Sequence, residues 1–297
     1  MLDWNVEKTG VSRRKFLRNS LTAAAGAAIP LAGYAQFIEP HHLTLEQVDL
    51  HIPNLPEAFD GFRIAQLSDF HYGAYTGASE ISVAVNLANS LKPDLTVVTG
   101  DFITWPGEDI AVPVTHPVFT EIALCAQTLS GLSAPSGVFG CFGNHDVLVG
   151  ERYITEVFDS FHIRLLANEN RAIERNGKRM WIAGVDDAIS GGADFVKTLR
   201  GIPSNEPVIL LAHEPDVADE AAKYPVAVQL SGHSHGGQIR LPLVDTLYLP
   251  RLAEKYPYGY YRVHNMHLYT NRGIGTILLP YRFNAPPEVT LITLRGK

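Results

Sequence analysis

Short apolar runs recur along the chain and predict buried strands, separated by segments with helical spacing or turn residues. An alternating edge strand is predicted at residues 43–52, and core strands of the first half at 62–68, 95–99 and 137–142. Strands of the second half are predicted at 163–166, 180–185, 208–211, 226–230, 268–270 and 289–294. Helices are predicted at 78–91 and about 119–129. This alternation indicates an α/β protein, and no linker follows residue 36.

Polar residues with metal-binding side chains follow three successive strands of the first half. These strands lead into Asp69-Phe70-His71, Gly100-Asp101 and Gly143-Asn144-His145-Asp146. In the second half, residues 208–211 lead into His213, and residues 226–230 lead into Gly232-His233-Ser234-His235. Open α/β sheets bind ligands at the carboxyl ends of their strands. We therefore expect these five blocks to form one site.

The side chains of the five blocks are typical of a site for divalent cations. Carboxylate, imidazole and amide oxygen ligands suit Mn²⁺, Fe²⁺ and Zn²⁺, and the absence of thiolates argues against a structural zinc site. Seven candidate ligands are too many for one ion: Asp69, His71, Asp101, Asn144, His213, His233 and His235. Two ions that share a bridging carboxylate would use them all, and such pairs, roughly 3.5–4 Å apart, are common in phosphoryl chemistry.

In this order, the five blocks resemble the calcineurin-like metallophosphoesterase superfamily over roughly residues 62–295. A single block is a weak signal, because Asp-x-His or Gly-Asp occurs by chance in many chains, but the ordered set is specific. The resemblance implies an α/β (α+β) fold, a four-layer αββα sandwich of two mixed β-sheets flanked by helices. It places the metal site at the C-terminal ends of the strands and implies a phosphoric ester hydrolase.

The resemblance also implies how the ligands divide between two ions. The first ion would be held by Asp69, His71 and His235, and the second by Asn144, His213 and His233, with Asp101 as the bridge. A hydroxide shared by the ions would attack phosphorus in line.

Two residues beside these ligands are candidates for catalysis. His145 is not needed as a ligand, so it would point into the cleft and either stabilise the transition state or protonate the leaving oxygen. Asp146 would hold the imidazole of His145 in orientation.

Two C-terminal segments, 271–276 and 281–288, are similar to a bacterial subgroup described as phosphodiesterase-like. Some of its members hydrolyse the pyrophosphate of UDP-2,3-diacylglucosamine, and others are exported and linked to the cell envelope. We therefore expect a phosphodiesterase or pyrophosphatase that acts on an envelope-related phosphodiester, lipid- or sugar-linked. A phosphomonoesterase of the superfamily is one alternative. A non-catalytic envelope metal-binding protein is another, disfavoured because every expected ligand and His145 are present.

Three features near the C-terminus have two interpretations each. Arg272 and Arg282 would contact substrate phosphate, or they would be solvated or structural arginines. The Tyr- and Pro-rich segment Leu241–Tyr261 would form an apolar lip for a lipid- or sugar-linked substrate, or a loop that packs on the core. Core packing is the favoured interpretation of this segment.

Residues 1–35 have the features of an export signal. The basic Ser12-Arg13-Arg14-Lys15-Phe16-Leu17-Arg18 precedes an uncharged stretch at 21–31, and Gly33-Tyr34-Ala35 suits a signal peptidase. The segment resembles a twin-arginine signal, so we expect the twin-arginine translocation machinery as a partner and a location in the periplasm or cell envelope. An uncleaved signal would act as an anchor, with peripheral membrane or cell-envelope association. The metallophosphoesterase domain is predicted at 36–297.

Composition narrows the set of partners. The net charge of -7 at pH 7 and the pI near 5.9 argue against a nucleic-acid-binding face, which is usually basic. Because the chain is negatively charged, a polyanionic substrate would need positive charge at the site itself, such as bound cations. Cys125 and Cys141 have no partner at zinc-site spacing, so we expect buried small residues, with a single disulfide as the alternative.

Overall fold

Two six-stranded β-sheets lie at the centre of the protein in the computed structural model, which describes residues 12–105, 107 and 116–296. In chain order the strands are β1 (Thr44–His51), β2 (Arg63–Leu67), β3 (Leu95–Thr99), β4 (Val138–Cys141), β5 (Arg164–Leu165), β6 (Glu169–Arg175), β7 (Lys178–Gly184), β8 (Val208–Leu211), β9 (Val228–Ser231), β10 (Arg240–Leu241), β11 (Asp245–Thr246), β12 (Gly259–Val263), β13 (Met266–Thr270) and β14 (Glu288–Arg295). The helices are α1 (Arg13–Phe37), α2 (Ala78–Ser90), α3 (Pro117–Leu129), α4 (Asn144–Val149), α5 (Glu151–Ser160), α6 (Phe195–Thr198) and α7 (Ala218–Ala221).

Both large sheets are mixed. The first has the order β1-β14-β2-β3-β4-β5, in which β2 to β5 are parallel and β14 is antiparallel to β2. The second has the order β12-β13-β9-β8-β7-β6, with a parallel centre and antiparallel strands at both edges. The short strands β10 and β11 form a separate hairpin.

The sheets pack face to face because their central strands are apolar on both faces. In β8, Ile209 and Leu211 belong to the core between the sheets, whereas Val208 and Leu210 face the outer core formed with α6 and α7. Helices α2, α3 and α5 cover the other face of the first sheet. The result is the predicted four-layer αββα sandwich. Strands buried on both faces explain why the sequence shows continuous apolar runs there.

Most predicted elements are present, but the sequence pattern missed several at the periphery. Strand β6 buries only Ile173, so it lacks an apolar run. Strand β12 overlaps the end of the segment 241–261, for which a loop is the favoured interpretation. Helix α5 was also missed, although Ile154 and Phe158 share its buried face. Cys125 and Cys141 are buried free thiols, which confirms the predicted small buried residues and excludes the disulfide.

The N-terminal segment forms the long helix α1, which begins at Arg13 and ends against the domain. Ala35 is buried, and its carbonyl oxygen accepts a hydrogen bond from the Arg282 N–H at 2.8 Å. The buried Glu39 carboxylate, just beyond α1, accepts from the Ala285 N–H at 2.6 Å. Among the described residues, no helix is long and apolar enough to cross a membrane. The predicted twin-arginine signal at 1–35 stays a prediction, and its residues 1–11 lie outside the described part.

Candidate metal centre

The five sequence blocks meet at one edge of the two sheets. Asp69 and His71 follow β2, Asp101 follows β3, and Asn144 begins α4 directly after β4. From the second sheet, His213 follows β8, and His233 and His235 follow β9. These parallel strands point their carboxyl ends the same way, which brings the loops together. All of these side chains are buried except that of Asn144, which is half-buried.

Six of the seven predicted ligands, all except Asn144, form two groups. The nitrogen and oxygen atoms of Asp69, His71 and His235 lie within 4.8 Å of one another, and so do those of Asp101, His213 and His233. Asp101 lies between the groups, because its Oδ2 atom is 3.4 Å from His71 Nε2 and 3.1 Å from His213 Nε2. Its Oδ1 atom accepts a hydrogen bond from the His145 N–H at 3.0 Å. One carboxylate oxygen is therefore held by the backbone, and the other faces both groups.

Hydrogen bonds on the far side of each ring leave one nitrogen free. His213 Nδ1 donates to the Thr99 carbonyl oxygen at 2.6 Å, and His233 Nε2 donates to the Arg251 carbonyl oxygen at 2.9 Å. In a neutral ring the lone pair is then on the other nitrogen, His213 Nε2 or His233 Nδ1. Burial opposes protonation of His213, but the carboxylate of Asp101, 3.1 Å from Nε2, raises the pKa of His213 well above its usual range, so a metal at this position would replace a proton on Nε2. Such carbonyl contacts are the usual way in which proteins orient metal-binding histidines.

Several buried nitrogen and oxygen atoms converge at the centre. His71 Nε2 and His235 Nε2 face each other at 3.0 Å. Among the described residues, the buried Asn144 Oδ1 has no hydrogen-bond partner. Buried polar atoms without partners are rare, because each costs about 1–3 kcal/mol. Cations among these atoms would satisfy them, so the residues fit a divalent metal site.

The charges of the site agree with this interpretation. Burial lowers the pKa of His71 to about 3 and that of His233 to about 4, so both imidazoles are neutral near pH 7, the form that binds metals. Burial also raises the pKa of Asp69, to about 6. Burial opposes ionisation of Asp101, but its histidine neighbours, His213 foremost, hold the pKa of this carboxyl well below its usual range.

The backbone is strained where the ligands lie. Five ligand residues have left-handed φ angles, between 44° and 69°: Asp69, His71, Asp101, His233 and His235. Residues other than glycine rarely adopt such angles, and they do so mostly at functional sites. Glycines allow the loops to approach closely. A Cβ atom on Gly143 would lie 2.2 Å from Asp101 Oδ1, and one on Gly232 would lie 2.2 Å from Asp69 Oδ2.

The two predicted catalytic residues have different surroundings from those expected. The prediction that Asp146 orients the His145 ring is wrong, because its carboxylate accepts hydrogen bonds from the N–H groups of Asp101, Phe102 and Gly143 at 2.8–2.9 Å. Burial raises the pKa of Asp146, yet both of its oxygens accept N–H groups, so the ionised form fits the site. Asp146 thus joins the loops after β3 and β4.

His145 is oriented by the backbone instead. Its Nδ1 atom accepts a hydrogen bond from the Trp105 N–H at 3.0 Å, which places the ring proton on Nε2. The ring stands edge-on to His71, with centroids 5.1 Å apart. His145 therefore lies at the junction of the two ligand groups. Sequence reasoning missed Trp105 because a backbone N–H donor leaves no signal in residue type.

A cleft of about 550 Å³ opens beside this centre. Asp101, Asn144, His145, His233 and His235 line its inner end. Its outer walls are largely apolar and contain Ile189, Ile239, Leu247, Tyr248, Pro250, Ile277, Leu278 and Leu279. The segment 241–261 lines the cleft at one part and packs on the core at another, and its role toward a lipid- or sugar-linked substrate stays a prediction. Leu247 and Tyr248 line the cleft, whereas Tyr256 and Tyr261 pack on the core outside the second sheet.

The two arginines that were candidates for phosphate contacts have structural roles. Arg272 forms ion pairs with Glu288 at 2.7 Å and with Glu46 at 2.8 Å. Arg282 is fully buried and donates to backbone carbonyl oxygens, including those of Ala285 and Arg272. Neither guanidinium lines the cleft.

Residues 62–237, which include every predicted ligand, match the family described as calcineurin-like phosphoesterase. The chain belongs to this family. It is therefore a phosphoester hydrolase with a metallophosphoesterase domain, and its clustered histidine and aspartate groups are able to bind metal.

Relatives of this phosphoesterase match it over nearly the full length. It is 35% identical to an uncharacterized metallophosphoesterase, YkuE, of Bacillus subtilis, over 96% of this chain and 98% of the relative. It is 32% identical to the phosphodiesterase YaeI of Escherichia coli, over 96% of this chain and 99% of the relative. It is 27% identical to the UDP-2,3-diacylglucosamine pyrophosphatase LpxG of Chlamydia trachomatis, over 92% of this chain and 95% of the relative.

Proposed function

We propose that this phosphoesterase uses two divalent cations to hydrolyse a phosphodiester or pyrophosphate bond in an envelope-related molecule. The observation that carries the proposal is the pair of ligand groups joined by Asp101 Oδ2, which faces a histidine of each group at 3.4 and 3.1 Å. A single ion would leave one group unused.

In this proposal, Asp69, His71 and His235 hold the first ion, and Asn144, His213 and His233 hold the second, with Asp101 shared. The donor set suits Mn²⁺, Fe²⁺ or Zn²⁺. When bound, such a pair supplies a nucleophilic hydroxide near neutral pH and neutralises charge on the phosphoryl oxygens.

The protein's own contribution to the reaction is a positioned proton on His145. Because Nδ1 accepts from Trp105, the Nε2–H group is the donor that His145 offers to the cleft. Giving up this proton would leave an imidazolate. The contact with Trp105 therefore favours hydrogen-bond donation to a phosphoryl or leaving oxygen over complete proton transfer.

The shape of the cleft supports a substrate with a substituent on each side of phosphorus. Its volume of about 550 Å³ exceeds the needs of a terminal phosphate, and Leu247, Tyr248 and Leu278 extend it with apolar surface. A lipid- or sugar-linked diester would use this surface. The Escherichia coli relative is a phosphodiesterase and the Chlamydia relative a UDP-2,3-diacylglucosamine pyrophosphatase, which supports a diester or pyrophosphate substrate.

We also propose export by the twin-arginine machinery and a location in the periplasm or cell envelope. The basic Arg13 and Arg14 begin the exposed helix α1. Cleavage after Ala35 would require that buried end of α1 to detach from Arg282, which favours retention of the helix. Exposed apolar side chains in the cleft lining, such as Leu247 and Leu278, support peripheral membrane association.

The test compares hydrolysis of bis-p-nitrophenyl phosphate with that of p-nitrophenyl phosphate. Metal-stripped protein is refilled in turn with Mn²⁺, Zn²⁺ and Mg²⁺, and bound metal is counted in each sample. We expect metal-dependent turnover that favours the bis-ester. Preference for the mono-ester would indicate a phosphomonoesterase, and metal binding without turnover of either ester would support the non-catalytic alternative.

A further inference from the structure

Arg251 is the one lysine or arginine in the lining of the cleft, as far as the structure describes it. The side chain is exposed, and its guanidinium makes no hydrogen bond or ion pair with any described residue. Other arginines near the centre are already engaged: Arg272 with two carboxylates, and Arg282 with carbonyl oxygens. Arg251 is therefore a cation that remains available to a ligand in the cleft.

The backbone beside Arg251 is fixed to two segments that carry predicted metal ligands. The carbonyl oxygen of Arg251 accepts the hydrogen bond from His233, and the Leu252 carbonyl oxygen accepts from the Asp216 N–H at 2.9 Å. Asp216 lies shortly after His213, and its carboxylate accepts N–H groups from Glu254, Lys255 and Tyr256 at 2.9–3.2 Å. The base of the Arg251 side chain is thus held in place before substrate binds, which limits the entropy lost on binding.

We propose that Arg251 forms a subsite for a second anionic group, next to the phosphorus under attack. This inference rests on the proposed function, because it needs a phosphoester at the metal centre. A guanidinium binds phosphate with two parallel hydrogen bonds. The subsite makes the cleft selective for pyrophosphate diesters, whose two phosphates each carry a negative charge, over simple diesters, which carry one.

The position of Arg251 favours a second phosphate over a second charge on the same phosphate. Arg251 lines the cleft together with Tyr248 and Pro250 and belongs to neither ligand group. A substrate group bound at Arg251 would have the apolar residues of the same lining beside it. A terminal phosphate places no group there.

The experiment measures kcat and KM of the metal-loaded full chain with UDP-glucose, bis-p-nitrophenyl phosphate and p-nitrophenyl phosphate. Arg251→Ala, Arg251→Lys and the control Arg240→Ala are compared with wild type. The Arg240 guanidinium lies outside the cleft lining, 4.1 Å from the centroid of the Tyr258 ring. Binding of a methylene-bridged nucleoside diphosphate, measured by calorimetry, gives a readout that does not depend on turnover.

Arg251→Ala should lower kcat/KM for UDP-glucose about tenfold to a hundredfold, the usual value of hydrogen bonds to a charged group. It should weaken calorimetric binding similarly and change kcat/KM for the bis-ester less than about twofold. Arg251→Lys should recover part of the loss, because lysine keeps the charge without the planar fork.

Three results would count against the subsite. If Arg251→Ala weakens both diesters alike, or weakens the mono-ester most, Arg251 does not recognise a second phosphate although the proposed function holds. If wild type cleaves the bis-ester but neither cleaves nor binds the pyrophosphate compounds, the subsite is also wrong. If wild type cleaves none of the esters with any metal, the proposed function itself fails.

Discussion

In each of two loop regions beside the cleft, one aspartate carboxylate accepts hydrogen bonds from several backbone N–H groups. The two carboxylates differ in burial. At the metal centre, the fully buried Asp146 carboxylate accepts N–H groups from Asp101, Phe102 and Gly143. In the outer wall, the half-buried Asp216 carboxylate accepts three N–H groups of residues 254–256. The inner loops carry the ligands, and the outer loop carries Arg251 and the adjoining cleft wall.

The difference in burial between Asp146 and Asp216 separates the inner region, proposed to bind metal, from the outer region, proposed to contact substrate. Water can replace an acceptor lost at the half-exposed Asp216, but it reaches Asp146 only if the core opens. Folding, metal binding and chemistry are therefore coupled in the inner region. The outer region can change to suit a substrate without loss of the metal centre. Each prediction below tests this separation, from the largest expected effect to the smallest.

Asp101→Asn should have the largest effect, because it removes the charge that faces both ligand groups. We expect hydrolysis of bis-p-nitrophenyl phosphate to fall about a thousandfold or more, and bound metal to decrease. Metal analysis and steady-state assays on the same samples measure both. Full activity with two metals bound would mean that Asp101 does not join the groups.

His145→Ala should lower kcat about a hundredfold to a thousandfold and leave metal content unchanged, because in this account the ring donates a hydrogen bond to a reacting oxygen and holds no metal. His145→Gln keeps an N–H donor and should recover part of the activity. If His145→Ala leaves the hydrolysis rate and the metal content alike unchanged, the catalytic assignment is wrong.

Asp146→Asn should lower the free energy of unfolding by about 2–4 kcal/mol, because its amide group meets buried N–H donors. The matched change Asp216→Asn should cost about 1 kcal/mol or less. Denaturant titration of the metal-free variants measures both values. Equal losses in the two variants would remove the distinction between the inner and outer regions.

Metal affinity should depend on pH through Asp69. Burial raises the pKa of Asp69 to about 6 and lowers that of His71 to about 3, so acid protonates the carboxylate first. Above pH 6 the carboxylate is free to bind. Below it, protons compete, and the affinity of the first ion should fall about tenfold per pH unit. Calorimetric titration with Mn²⁺ on either side of pH 6 would refute this if affinity stayed constant.

Tyr248→Ser, in the outer wall, should have the smallest effect. Losing its apolar contact should raise KM for a lipid-tailed pyrophosphate about threefold to tenfold and leave bis-p-nitrophenyl phosphate unaffected. A point substitution suits this test better than deletion of the loop, because Tyr256 and Tyr261 pack on the core. An equal change with both substrates would place Tyr248 in the inner region.

The core and the position of the site could be predicted from sequence because both depend on residue type. Apolar runs predicted the strands β3 and β8, and the polar residues that follow these strands predicted the position of the site. Edge elements such as β6 could not be found this way, since Ile173 alone is buried there. Roles set by backbone contacts were also hidden. Adjacent positions suggested that Asp146 orients His145, whereas the N–H of Trp105, distant in sequence, does so.

Arg251 shows the same limit in the outer wall. Its residue type was visible, but its importance depends on the carbonyl contact with His233 and on the partners that occupy Arg272 and Arg282. Such information arises only when segments far apart in sequence are brought together by the two sheets.

The central claim is that two ions share Asp101, and electron paramagnetic resonance of the Mn²⁺-loaded protein tests it most directly. Two ions bridged by one carboxylate are coupled by exchange, so the spectrum should show reduced hyperfine spacing, and Asp101→Asn should abolish it. A wild-type spectrum of isolated Mn²⁺ ions at full metal loading would contradict the account.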